Sequence, residues 1–331
     1  MGDAMLRPRT SWLLSLGLLC LTGCSQHDVA LQHPLTPVTN IQLPKEHQVP
    51  NMDLLTLDPR VGRLYISHTS IAAMDVIDSK GHKYLGSVPG LPGIKGIALT
   101  SDPNLVYVSQ DIDQVSAVDL GKMKVIATIP VGRGPDAIAY DPYDNLVDVS
   151  LSTDLKIALI DPGAKKVVGE IPFAGGPELM SVDPKTGHIF LAINDRDEVD
   201  VLDPTTKSIL KTYKGCDIKT PTGVAYDPED GRLFIASHMD LNIIDVFLDR
   251  CLGGVDIGAG TDQIAYNPNT HHVYTADGGS RYISVIDAQS LKPLGTVGTG
   301  RSASTMAIDP TTAEVFVAVK PAGIIAVYHD P

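Results

Sequence analysis

Tryptophan is nearly missing from this chain: the single copy, Trp12, opens a short apolar run near the N-terminus. Without it the rest of the chain lacks the usual stacking platform for sugars and the tryptophan docking motifs that seat quinone cofactors. No C-x-x-C-H is present, which removes covalent c-type haem, and no G-x-G-x-x-G or G-x-x-x-x-G-K-[ST] run supports a nucleotide site. A G-x-S-x-G nucleophile elbow is absent as well. Basic residues are scarce: 26 Lys and Arg stand against 39 Asp and Glu, a net charge of −13. Such a surface repels phosphate backbones, so nucleic-acid binding is not expected. The run from Trp12 to Leu21, WLLSLGLLCL, is too short to span a bilayer as a resident helix.

That run follows Arg7 and Arg9 and has the charged-then-apolar order of a secretory signal. It ends in Leu21-Thr22-Gly23-Cys24, which resembles the bacterial lipobox. The resemblance implies cleavage after residue 23 and a lipid on Cys24, with Ser25 in the outer-membrane sorting pattern. The chain is then tethered to a membrane rather than spanning it. Loss of Arg7, Arg9 and Asp3 leaves 24 basic and 38 acidic side chains, about −14. Residues 24–37 are polar, with no apolar period, and read as a spacer. Of four cysteines, Cys216 and Cys251 remain for an oxidising compartment. A disulfide between them is permitted but not required, because one is placed in a loop leading into an inner strand and the other near the start of an outer strand in the next unit.

What the chain has in abundance is repetition. Asp58-Pro59 recurs as Asp102-Pro103, Asp141-Pro142, Asp183-Pro184, Asp227-Pro228, Asn267-Pro268 and Asp309-Pro310, at intervals of 44, 39, 42, 44, 40 and 42 residues. Three residues before each pair stands an apolar residue, from Leu55 and Leu99 to Met306, and two before it a small one, from Thr56 and Thr100 to Ala307. This period-two alternation describes a strand with two different faces. After each turn come β-branched and aromatic segments such as RLYIS, LVYVS and HIFLA; a third strand ends in Asp78, Asp119, Asp161, Asp203, Asp245 or Asp287; a fourth follows. Units of about 42 residues, each a four-stranded antiparallel meander, predict an all-β, seven-bladed propeller over residues 38–331. The last unit stops one strand short, and Val38–Leu43, VTNIQL, has the alternation to complete it and close the ring.

The second strands, Tyr107-Val108-Ser109-Gln110 above all, together with the aliphatic-Asp third strands, resemble the YVTN-type β-propeller family of bacteria and archaea. The resemblance covers nearly all of residues 38–331 and implies architecture without a shared reaction. Function then lies where the repeats differ. Five residues before each Asp or Asn of the turn stand Asp53, Ile97, Asp136, Glu178, Thr222, Asp262 and Ser304, at the channel-side start of the inner strand. A ring of carboxylates there would hold a hard cation such as Ca²⁺, with Asp136, Glu178 and Asp262 as ligands, or a cationic substrate. The competing reading is a turn carboxylate that accepts backbone N–H bonds. On the same face the sequence places Lys95, Arg133 and Arg301, and from the loops between second and third strands His68, Asn194, His238, Asp277 and Lys320. Two functions fit: a monomeric binding or scaffold lipoprotein of the periplasm and outer membrane, offering loops to an envelope protein or small ligand, or a lactonase-type hydrolase with a divalent cation at the channel mouth.

Overall fold

The computed structural model of the chain describes residues 34–47 and 51–331. Cys24, the signal segment and most of the polar spacer lie outside the described residues. Among the described residues no helix is long and apolar enough to cross a membrane.

Seven four-stranded antiparallel sheets make up the described chain, and each is a meander. Blade 3 is representative: inner strand Pro135–Asp141, then Leu146–Leu151, Lys156–Asp161 and the outer strand Lys166–Pro172. Blade 7 is the exception, built from Met306–Asp309, Glu314–Val319, Ile324–His329 and, on its outer edge, Thr36–Gln42 from the start of the described chain. Thr36 pairs with His329 and Gln42 with Ile324. The closing strand therefore begins two residues earlier than the sequence suggested. Ile41 and Leu43 sink into a cluster with Phe316 and Ile325 of blade 7 and Leu64 and Ile66 of blade 1. Burying these side chains supplies the closure with the hydrophobic stabilisation that the ladder hydrogen bonds alone would not give.

The recurring aspartates are explained by local hydrogen bonding. Each accepts a bond from the backbone N–H two residues on: Asp58 from Arg60 at 3.0 Å, Asp141 from Tyr143 at 2.8 Å, Asp183 from Lys185 at 2.9 Å, Asp227 from Glu229, Asn267 from Asn269 and Asp309 from Thr311. This is an Asx turn, and it joins the inner strand to the second. Blade 2 departs in register. Asp102 accepts from the Asn104 N–H at 2.9 Å, but two residues past the equivalent place, which Thr100 holds, its Oγ1 accepting from the Asp102 N–H at 3.2 Å. Ile97 pairs with Val108 as Ile138 pairs with Val149, so blade 2 must be registered on Thr100 rather than on Asp102-Pro103. The first two intervals become 42 and 41 residues instead of 44 and 39. The correction moves Ile97 off the ring position and Lys95 onto it.

The second strands carry one aromatic side chain each, Tyr65, Tyr107, Phe190, Phe234, Tyr274 and Phe316, buried between blades, except in blade 3, where the same position is Asp148. Asp148 is fully buried and neither carboxyl oxygen has a hydrogen-bond partner among the described residues. Burial, reinforced by the neighbouring Asp141 and Asp144, pushes its carboxyl well above the usual range.

Candidate functional site at the channel mouth

With blade 2 re-registered, the seven residues that begin the inner strands at the channel are Asp53, Lys95, Asp136, Glu178, Thr222, Asp262 and Ser304. Four carboxylates thus face one lysine. Lys95 Nζ lies 3.4 Å from Asp53 Oδ2, with both side chains partly exposed. Burial works against the Lys95 ammonium, but Asp53, Asp136 and Asp111 outweigh it and hold its pKa above the ordinary lysine value. The acids move the other way. Burial, then the charges of Asp136 and Asp262, push Glu178 up to about 7, while Lys95 opposes them. Burial and Asp53 push Asp262 up to about 6, with Lys320 and Lys95 opposing, and burial raises Asp136 as well. These groups share one electrostatic neighbourhood, and an excess of negative charge is trapped there.

Among the described residues the side chains of Asp136, Glu178 and Asp262 make no hydrogen bond to backbone. The turn-stabilising duty falls instead to the Asp-Pro aspartates five residues on. Between the inner strands lies a cavity of about 140 Å³ that Thr56 and Gln263 line together with Ile97, Ile138, Met180 and Ile264, and whose exposed lining is mostly polar. Gln263 helps close it across blade 7: its Oε1 accepts from the N–H groups of Leu55 at 3.0 Å and Met306 at 3.2 Å, and its Nε2 donates to the Leu55 carbonyl at 3.1 Å. The inner strands of blades 1 and 7 are the shortest, four residues each, and the amide occupies backbone groups they leave open.

The other residues expected on this face divide into rim and frame. Arg133 is exposed and paired with Asp154 at 2.8 Å. Arg301 is exposed on the loop leading into blade 7, and His238 is exposed in a left-handed turn, φ +57°, between the second and third strands of blade 5. Lys320 donates to Ser304 Oγ at 3.3 Å. Asn194 donates to the Pro221 carbonyl of the next blade at 3.3 Å. Asp277 is not a loop residue but the buried last residue of its strand, where it accepts from the Gly258 N–H, Thr261 Oγ1 and Ser284 Oγ. Three donors surround that carboxylate, so its role is to fix the chain entering blade 6. His68 likewise ends a strand, is fully buried, and points into the seam between blades 7 and 1.

Cys216 and Cys251 form a disulfide, with Cα atoms 5.6 Å apart. The loop from Gly215 to Thr220 reaches its partner because Cys216 and Asp217 both adopt left-handed backbone angles and fold it back onto blade 5. There Asn242 Nδ2 donates to the Cys216 carbonyl at 2.9 Å.

Sequence reasoning missed His47, Asp75 and Tyr84, which converge on His68. Among the described residues they include the one group of three metal-capable side chains, His47, His68 and Asp75, whose ligand atoms lie within 4.8 Å of one another; no three ring carboxylates approach so closely.

No family model and no curated protein matches the chain. Among solved structures it is similar to Hydrazine Synthase of Kuenenia stuttgartiensis, with a TM-score of 0.76, 18% identity, and coverage of 84% of this chain and 95% of that one. At that identity the likeness shows the fold: the chain is a seven-bladed β-propeller.

Proposed function

We propose that this propeller is a non-enzymatic binding module of the bacterial cell envelope, a member of the YVTN-type family held through Cys24 at the outer membrane, whose channel mouth receives an organic cation. The observation that carries this reading is the ring itself. Burial, reinforced by the charges of Asp136 and Asp262, pushes Glu178 up to about 7, and a positive group seated among the carboxylates offsets that excess of negative charge. One feature favours an alkylammonium over a bare divalent ion: the ring oxygens are spread too widely for three to clasp one ion directly. For the same reason the ring is a poor seat for the metal of a lactonase-type hydrolase.

Isothermal titration with spermidine, butylammonium and Ca²⁺ tests the reading. Wild type is expected to bind the alkylammonium ions at millimolar or better affinity, with protons released near pH 7 as Glu178 ionises, visible as an enthalpy that depends on the buffer. Asp136→Asn combined with Asp262→Asn is expected to weaken binding at least tenfold. Saturable heat with Ca²⁺ alone would overturn the choice of ligand, and equal affinity in the double variant would overturn the site.

A further inference from the structure

Away from the channel, the seam between blades 7 and 1 brings together side chains from three segments. His68 ends the second strand of blade 1, Asp75 lies mid-way along the adjacent third strand, and both are fully buried. His47 arrives from the short 3-10 turn Lys45–His47, which links the closing strand to blade 1. His68 Nδ1 is 2.7 Å from Asp75 Oδ2, and His47 Nδ1 is 3.0 Å from Asp75 Oδ1. The Tyr84 hydroxyl stands 3.3 Å from His47 Nδ1 and 3.5 Å from Asp75 Oδ1.

The repeat supplies its own control. The residues matching His68 in the other blades are Gln110, Leu151, Ile193, Ser237, Asp277 and Val319, each the last of its second strand. The polar ones are satisfied within their own surroundings: Gln110 by Ser116, Gln114 and the Pro92 carbonyl, Asp277 by three donors, Ser237 by the backbone of Lys219. His68 differs, because its Nε2 is buried with no hydrogen-bond partner among the described residues. A bridge to the neighbouring strand needs only a glutamine here, as blade 2 demonstrates. The atom His68 offers to a shared ion is its Nδ1, which already lies 2.7 Å from the Asp75 carboxylate.

We propose that His47, His68 and Asp75 bind one divalent transition-metal ion of the zinc class, with the Tyr84 hydroxyl beside the fourth position, and that the ion ties the ring-closing segment to blade 1. Two imidazoles and a carboxylate are a donor set for zinc, copper or nickel, whereas calcium and magnesium take oxygen ligands. Ligand atoms around a tetrahedral zinc ion sit roughly 3.3 Å apart at ordinary bond lengths; the two imidazole–carboxylate spacings are within a few tenths of an ångström of the same value, and all three ligand atoms lie within 4.8 Å of one another. The path for the ion is on the His47 side, where the imidazole retains 16% exposure.

The test uses the full chain, stripped with chelator and titrated with Zn²⁺ under equilibrium dialysis, with metal content read by mass spectrometry. One equivalent is expected to bind and to raise the thermal midpoint. His47→Ala, a change in a partly exposed turn that leaves the core intact, is expected to weaken binding at least tenfold. His68→Gln, which borrows the residue of blade 2, is expected to abolish it; if that variant does not fold, His47→Ala decides. Asp262→Asn is expected to leave zinc binding unchanged, which separates this site from the channel mouth. With Cu²⁺ in place of zinc, electron paramagnetic resonance is expected to show coupling to two imidazole nitrogens. Binding well below one equivalent in wild type, wild-type affinity in His47→Ala, or coupling to fewer than two nitrogens would overturn the proposal.

Discussion

Carboxylate chemistry marks both the channel mouth and the seam between blades 7 and 1, and the two regions handle it in opposite ways. At the mouth, Asp53, Asp136, Glu178 and Asp262 stand at the same register in different blades, spaced around a circle, partly wet, with Lys95 as the one cation among the seven positions. At the seam a single carboxylate, Asp75, is enclosed and accepts from two imidazoles. The mouth is a product of repetition, since one position copied seven times makes a ring whose charge is set by substitution. The seam is a product of interruption: the chain leaves the repeat to join its first described strand to its last blade, and His47, which has no counterpart in the repeat, meets His68 and Asp75 there. Repetition yields a diffuse field suited to attraction, while interruption yields a compact constellation suited to coordination.

The sharpest way to divide the two regions is to damage each. Ile41→Asp places an unpaired carboxylate among Phe316, Ile325 and Ile66, and is expected to cost about 4 kcal/mol or more, or to leave the ring unclosed, by thermal or denaturant unfolding. A comparable change at the mouth is expected to do the reverse. Glu178 titrates at about 7 when folded against an ordinary 4.5, so its contribution to stability is fully present below about pH 4.5 and is lost as pH rises through 7. Glu178→Gln removes that loss: unfolding at pH 8 is expected to show a gain of about 1–2 kcal/mol after allowance for solvent screening, and at pH 4 no gain. Equal effects at both pH values would mean that the ring is not strained by its charge. The smallest effect is expected from Lys95→Met, which removes the competing cation and should tighten alkylammonium binding about fivefold, roughly 1 kcal/mol, in the same titration.

The sequence made the ring legible because an Asx turn demands a short side-chain acceptor, and a proline after it makes the pair conspicuous. The same rule produced the one misregistration: threonine can cap such a turn, so Thr100 took the role while Asp102-Pro103 kept the conspicuous spelling two residues later. That slip put Ile97 in the ring and left Lys95, the one cation among the seven positions, merely on the same face. The pairing of Cys216 with Cys251 was left open because two adjacent left-handed residues fold the loop in a way no propensity announces. Asp277 and His68 read as loop residues because strand ends were drawn one residue short, and burial inverted their meaning. His47 had no repeat to be compared with, so nothing in the spacing could single it out.

The pairing of Thr36 with His329 carries an orientation. Those residues sit at the end of blade 7 that holds the Asp309 turn, whereas Gln42 and Ile324 lie beside the loop carrying Lys320, next to the acidic mouth. The strand that locks the ring therefore starts on the disc's underside and runs toward its open rim.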